Sequence, residues 1–142
     1  MAYNILIVDD SFPMRAVIKK VIKASGFDIG EFFEASNGKE ALQVMDDQWL
    51  DLVLTDYNMP DMNGLELLKA MKRSDTLADI PVVVVTTEGS DLRVEEFLSQ
   101  GATAYIKKPF APEQIKSHLN RILGEPNHGQ VSIDACDEGL DF

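Results

Sequence analysis

Three short runs in this chain carry no polar side chain: 5–8 (Ile-Leu-Ile-Val), 52–54 (Leu-Val-Leu) and 82–85 (four valines). Successive side chains of a strand point to opposite faces, so a strand with one wet face alternates apolar and polar residues. Runs that are apolar on both faces belong to strands covered on both sides, the condition of a parallel sheet held between helices. Four successive β-branched residues, stiff at χ1, mark 82–85 as a strand. Two weaker strands are expected at 31–35 and 103–107, the first mixing acids with apolar residues as a half-exposed edge does.

Between the strands the apolar period changes to three and four residues, the spacing of one helix face. Met14, Val17, Ile18, Val21 and Ile22 predict a helix with Ser11 as N-cap, Pro13 in its first turn and Gly26 after its end. Ala41, Leu42 and Met45 follow Asn37-Gly38, and Leu65, Leu67, Leu68 and Met71 follow Asn63-Gly64. Leu92, Phe97 and Leu98 precede Gly101, and Ile115, His118, Leu119, Ile122 and Leu123 lie between Pro112 and Gly124. Strand and helix thus alternate five times, which predicts a three-layer α/β domain with right-handed crossovers of one helix each.

The domain is expected over residues 1–123. Residues 124–142 lose the pattern and form an acidic tail with five Asp or Glu and no Lys or Arg. The tail reads as flexible and solvated, with Leu140 and Phe142 as the residues a linear-motif reading would use. Over the whole chain 13 Lys plus Arg stand against 24 Asp plus Glu, a formal net charge of −11. Such a surface repels phosphate backbones and anionic lipid, so neither nucleic acid nor membrane is an expected partner. The lone Cys136, the uncharged start and the shortness of every apolar run predict a soluble, cytoplasmic protein.

Ligands of open parallel sheets bind beyond the carboxyl ends of the strands. Those ends carry Asp9-Asp10 after the first strand, Asp56 after the third, Thr86-Thr87-Glu88 after the fourth and Lys107-Lys108 after the fifth. Three carboxylates beside one ammonium repel one another unless a cation joins them, and hard oxygen ligands suit Mg²⁺. An aspartate in such a site is a nucleophile toward phosphorus, with the cation and the lysine offsetting charge on the transferred group. A single strand-end Asp is often only solvated or a helix cap. No His or Cys cluster suggests zinc: His118 lies on a helix and His128 in the tail. Trp49, Phe32 and Phe33 are expected as packing residues, and Lys19-Lys20 and Lys72-Arg73 as solvated helix faces.

Asp9-Asp10, then Asp56 within Asp-Tyr-Asn-Met-Pro, then Thr86, then Lys108-Pro109-Phe110 resembles the receiver domain of two-component response regulators. The likeness is to the stand-alone, CheY-like type and covers about residues 4–123. It implies a flavodoxin-like (βα)5 fold with a five-stranded parallel sheet in the order 2-1-3-4-5. It also implies Asp56 as phosphoacceptor and Mg²⁺ (or Mn²⁺) held by Asp10, Asp56 and the Asn58 carbonyl, with Asp9 acting through a bound water. Thr86, Thr87 and Lys108 would contact the phosphoryl group, and Tyr105 would be the aromatic that turns inward with Thr86. Thr87 departs from the smaller Ala or Gly common there; Tyr57, Asn58 and Glu88 would tune the phosphate's lifetime, and Lys108-Pro109 matches a cis peptide of the family.

The resemblance implies a switch rather than a turnover enzyme. A sensor histidine kinase would phosphorylate it, and a target protein would read the face of the fourth helix, fifth strand and fifth helix. Chemotaxis is one role of this type, and a monomer or weak dimer is expected. An aspartyl-phosphate phosphohydrolase of the haloacid-dehalogenase type is the alternative, since it also uses an aspartate, Mg²⁺ and a lysine. It usually carries Asp-x-Asp after the first strand, where this chain has Asp9-Asp10-Ser11. A flavodoxin would need a hydroxyl- and glycine-rich phosphate loop there, which two aspartates would oppose.

Overall fold

The apolar runs become strands whose alternate residues feed two separate cores. In the computed structural model, which describes residues 3–87, 91–108 and 110–123, β1 (Tyr3–Val8), β2 (Ile29–Ala35), β3 (Leu52–Thr55), β4 (Val82–Thr86) and β5 (Ala104–Lys107) form one sheet. Its order is β2-β1-β3-β4-β5, all neighbours parallel. Leu6, Val8, Val53, Val82 and Val84 face one layer, where Ala41, Met45, Leu67, Leu68, Met71 and Phe97 close the core. Ile5, Ile7, Leu52, Leu54, Val83 and Val85 face the other, against Ile18, Ile22, Ile115 and Leu119. This two-sided burial is why the strands needed no polar alternation.

Helices α1 (Phe12–Ala24), α2 (Gly38–Asp47), α3 (Gly64–Lys72), α4 (Asp91–Ser99) and α5 (Pro112–Leu123) complete the three layers. Three starts are capped as their sequences imply. Ser11 Oγ accepts from Met14 N at 3.2 Å, Asn37 Oδ1 accepts from Glu40 N at 2.9 Å, and Asn63 and Glu66 cap each other reciprocally. Gly26 (φ 87°) ends α1 and Gly101 (φ 105°) follows α4, both in left-handed backbone that glycine adopts without strain.

Several expectations need correction. β2 begins at Ile29, two residues early, because Tyr3 pairs with Ile29 across a register shift. β5 begins at Ala104, since Thr103 instead bonds Val82 with both its N–H and its hydroxyl. Leu92 and Leu98 are exposed although their spacing suggested a buried face. At about 100° per residue, a helix seated on the sheet by Phe97 turns both of them away from it. Val17 is likewise exposed on α1, and Trp49 is 81% exposed rather than packed. Lys19 and Lys72 are not merely solvated: Lys19 pairs with Glu34 at 2.6 Å, and Lys72 donates to the Ala78 carbonyl at 2.8 Å. The expectations for Glu88, Pro109, His128, Cys136 and the tail 124–142 lie outside the described residues.

Candidate functional site

Strand register assembles the site. Val8 lies opposite Thr55, and Asp56 N donates to Val8 O at 2.9 Å, so Asp9 and Asp56 emerge side by side. On the other side Thr86 lies opposite Lys107, and Lys108 N donates to Thr86 O at 2.8 Å, which turns the Lys108 side chain back over the sheet end. Its ammonium stands 3.0 Å from Asp9 Oδ2 and 3.4 Å from Asp56 Oδ2. Asp9, only 2% exposed, also accepts from Ser11 N at 2.9 Å; Asp56, 9% exposed, accepts from Tyr57 N at 2.7 Å.

Asp10 is the exposed member. Asp9, Asp10 and Asp56 each offer a carboxylate oxygen, all within 4.8 Å of one another. Three anionic hard oxygens with one open edge suit a small divalent cation that keeps part of its water shell. Beside Asp10, an open cleft of about 540 Å³ is lined by Tyr57, Asn58, Met59, Pro60 and Asn63. Asn58 therefore stands where Asp10 opens to solvent. Thr86 is fully buried at the end of β4, while Thr87 beyond it is exposed. Tyr105 is half-buried on β5, and its ring lies 6.1 Å from that of Phe97.

Three contributors add to these, of which only Tyr57 was named as a site residue from the sequence, and then without its packing. Arg15 donates through Nη1 to the Asp9 backbone carbonyl and through Nε to Glu34 at 2.8 Å. Lys19 holds the other oxygen of Glu34 at 2.6 Å, and that bond, more than the Arg15 bond, keeps the Glu34 carboxyl below its ordinary pKa range. This clamp ties the loop bearing Asp9 to edge strand β2. The spacing of four between Ser11 and Arg15 was the available signal, one helical turn back toward the strand end. Second, the Tyr57 ring meets Phe97 edge-on at 5.5 Å under the Arg93 guanidinium, whose Cζ lies 4.6 Å from the ring centre. The residue after Asp56 is thereby packed through Phe97 to Tyr105.

The third is Gly64, which sequence reading placed only in a loop. A Cβ at Gly64 would lie 2.2 Å from the Asp56 carbonyl oxygen and 3.0 Å from Tyr57 Cα. Gly64 N donates to Tyr57 O at 2.9 Å, so α3 starts directly against the backbone of the acid loop. Backbone cannot swing aside as a side chain can. Gly64→Ala is therefore expected to lower stability by about 2–3 kcal/mol, read from urea unfolding with an unchanged m-value. A loss below about 0.5 kcal/mol would mean the loop yields freely.

The response regulator receiver domain model matches residues 5–120. The chain belongs to this family. A Chemotaxis protein CheY homolog of Campylobacter jejuni is 40% identical over 122 residues, covering 85% of this chain and 92% of that protein. Chemotaxis protein CheY1 of Helicobacter pylori is 38% identical over 122 residues, covering 85% of this chain and 97% of that protein. Among solved structures, Vibrio cholerae chemotaxis protein CheY4 aligns with a TM-score of 0.77 at 32% identity, over 86% of this chain and 99% of the other. The fold is thus the flavodoxin-like receiver fold in its CheY-like form, and the chain is a receiver of two-component signalling. Receivers of this family are signalling proteins, and the match lends the phosphohydrolase alternative no support. Among the described residues no helix is long and apolar enough to cross a membrane.

Proposed function

We propose that this receiver is a phosphorylation switch whose acceptor is Asp56. The clustering of Asp9, Asp10 and Asp56 at the carboxyl end of the sheet, with Lys108 paired to Asp9 and Asp56, carries the reading. An Asp56 carboxylate oxygen attacks the phosphorus of a kinase phosphohistidine. The P–N bond breaks, and the imidazole nitrogen keeps the electron pair and takes up a proton, leaving an acyl phosphate on Asp56. Asp10, Asp56 and the Asn58 carbonyl would hold Mg²⁺ (or Mn²⁺), with Asp9 contributing from beside them through water. What that cation supplies is charge neutralisation between the anionic acceptor and the anionic donor. Lys108 and the Thr86 hydroxyl bind phosphoryl oxygens, and exposed Thr87 borders the site and limits water.

A new dianion there offers Lys108 an alternative to its carboxylate pairs, and Thr86 a bond at the end of β4. Tyr105 responds by repacking, and the Tyr57–Phe97–Tyr105 contacts give that response a route onto α4. The output is a changed α4–β5–α5 face read by a target protein in the cytoplasm, with the chain acting as a monomer or weak dimer. The names of the Campylobacter, Helicobacter and Vibrio relatives make chemotaxis the role we favour for that target. The tail beyond residue 123 is a separate, acidic extension in this reading.

Incubation with acetyl phosphate and Mg²⁺ should add one phosphoryl group, seen by intact mass. Chelation with EDTA should abolish the addition. Equal labelling in EDTA would sink the cation assignment, and steady hydrolysis of a phosphomonoester without a labelled protein would sink the switch.

A further inference from the structure

At the opposite end of the sheet the chain walls a groove that the phosphoryl site does not use. Residues 45–51 run into β3 and residues 74–80 run into β4, so the groove opens at the amino ends of those strands. It encloses about 390 Å³ over an apolar floor of Met45, Leu50, Leu77 and Ile80. Trp49, Asp46 and Asp47 stand around it. An indole left 81% exposed is unusual for so large an apolar surface, and it is not the result of a loose loop.

Both walls are pinned. Asn4 Nδ2 donates to the Trp49 carbonyl at 3.0 Å, while Asn4 N donates to Asp51 Oδ2 and Asp51 N to Asn4 O, each at 2.8 Å. Across the groove Ala78 N donates to Ser74 O at 3.0 Å, Ile80 N to Leu77 O at 3.1 Å, and Lys72 clamps the Ala78 carbonyl. A rigid groove presenting an exposed tryptophan binds without an ordering cost on its own side.

Charge selects the occupant. Segments 45–51 and 74–80 hold Asp46, Asp47, Asp51, Asp75 and Asp79 and no Lys or Arg, against the ammonium of Lys72, which reaches the second wall and donates to the Ala78 carbonyl. The chain's own tail, with five acids and no Lys or Arg, would be repelled, and a second copy brings a net −11. We infer that this groove docks a basic, apolar segment of a partner protein. A Lys or Arg of that segment lies over the Trp49 ring between Asp46 and Asp47, and a neighbouring apolar side chain fills the floor. Because the groove lies at the far end of the sheet from Asp56, such a partner would hold the receiver without covering the acceptor.

The test uses the full chain and a short fluorescein-labelled synthetic peptide alternating Lys or Arg with Leu. Binding is read by anisotropy, by the emission of Trp49, the single tryptophan, and by amide NMR shifts. Saturable binding with shifts confined to 45–51 and 74–80 is expected. Trp49→Ala should weaken it about tenfold and Asp46→Asn with Asp47→Asn about threefold or more, while Glu95→Gln with Glu113→Gln, equal in charge change but on α4 and α5, should not. The indole is exposed, so unchanged thermal unfolding of Trp49→Ala would show that the fold survives. Equal binding by Trp49→Ala, shifts centred on Asp9, Asp10 and Asp56, or Trp49 emission that changes with protein concentration alone would overturn the inference. The last would make a second copy the occupant.

Discussion

Asp56→Asn should end phosphoryl acceptance, lowering labelling by acetyl phosphate at least about a thousandfold, while leaving a folded chain. The amide has the shape of the carboxylate but no anionic oxygen to attack phosphorus. Its oxygen can still accept from Tyr57 N, the bond Asp56 makes at 2.7 Å. Lys108 keeps its stronger partner, Asp9, at 3.0 Å. Removing one of three clustered negative charges also relieves repulsion, so metal-free stability should hold or rise. Intact mass and thermal unfolding, run together, separate the two effects. Full labelling of the Asn variant would move the acceptor elsewhere; an unfolded variant would give Asp56 a structural role that its contacts do not suggest.

Much of this arrangement is readable without coordinates, for reasons that lie in particular residues. The run Ile5-Leu6-Ile7-Val8 has no polar member because Leu6 and Val8 enter one core and Ile5 and Ile7 the other. Acids at the carboxyl ends of such strands have no lateral freedom, since the parallel register carries Asp9 beside Asp56. The strand order and the clustering of the three acids beside Lys108's strand end were therefore legible, the order by family resemblance and the clustering by topology.

What stayed hidden depends on direction rather than pattern. Leu92 and Leu98 share the apolar character of Phe97 but not its azimuth on α4, and composition does not reveal azimuth. Trp49 looks like core until the backbone of its loop is seen pinned to Asn4. Arg15 reaches the Asp9 carbonyl, and Gly64 lies against the Asp56 carbonyl. Contacts to main-chain oxygens leave no side-chain complement in the sequence to betray them. The acid loop is thus held by groups that make no chemical contribution of their own.

Lys108→Ala should unmask the strain that this clustering imposes. Without the ammonium, Asp9 and Asp56 face each other as like charges, at 2% and 9% exposure. Each keeps one backbone N–H, from Ser11 and Tyr57, which solvates but does not neutralise. Removing one partner from a buried ionic group costs about 3 kcal/mol, far more than an exposed pair contributes. The metal-free variant should lose stability on that scale by urea unfolding. A bound divalent cation replaces the missing charge, so millimolar Mg²⁺ should restore more stability to Lys108→Ala than it adds to the native chain. Labelling by acetyl phosphate should still fall about a hundredfold, because the cation cannot also stand where the ammonium meets the phosphoryl oxygen. Lys108→Met, which keeps the aliphatic stem, should behave as the alanine variant does if charge is the cause. Were it instead to match the native chain in EDTA, packing by the stem would be what Lys108 contributes, and the electrostatic account of the site would fail.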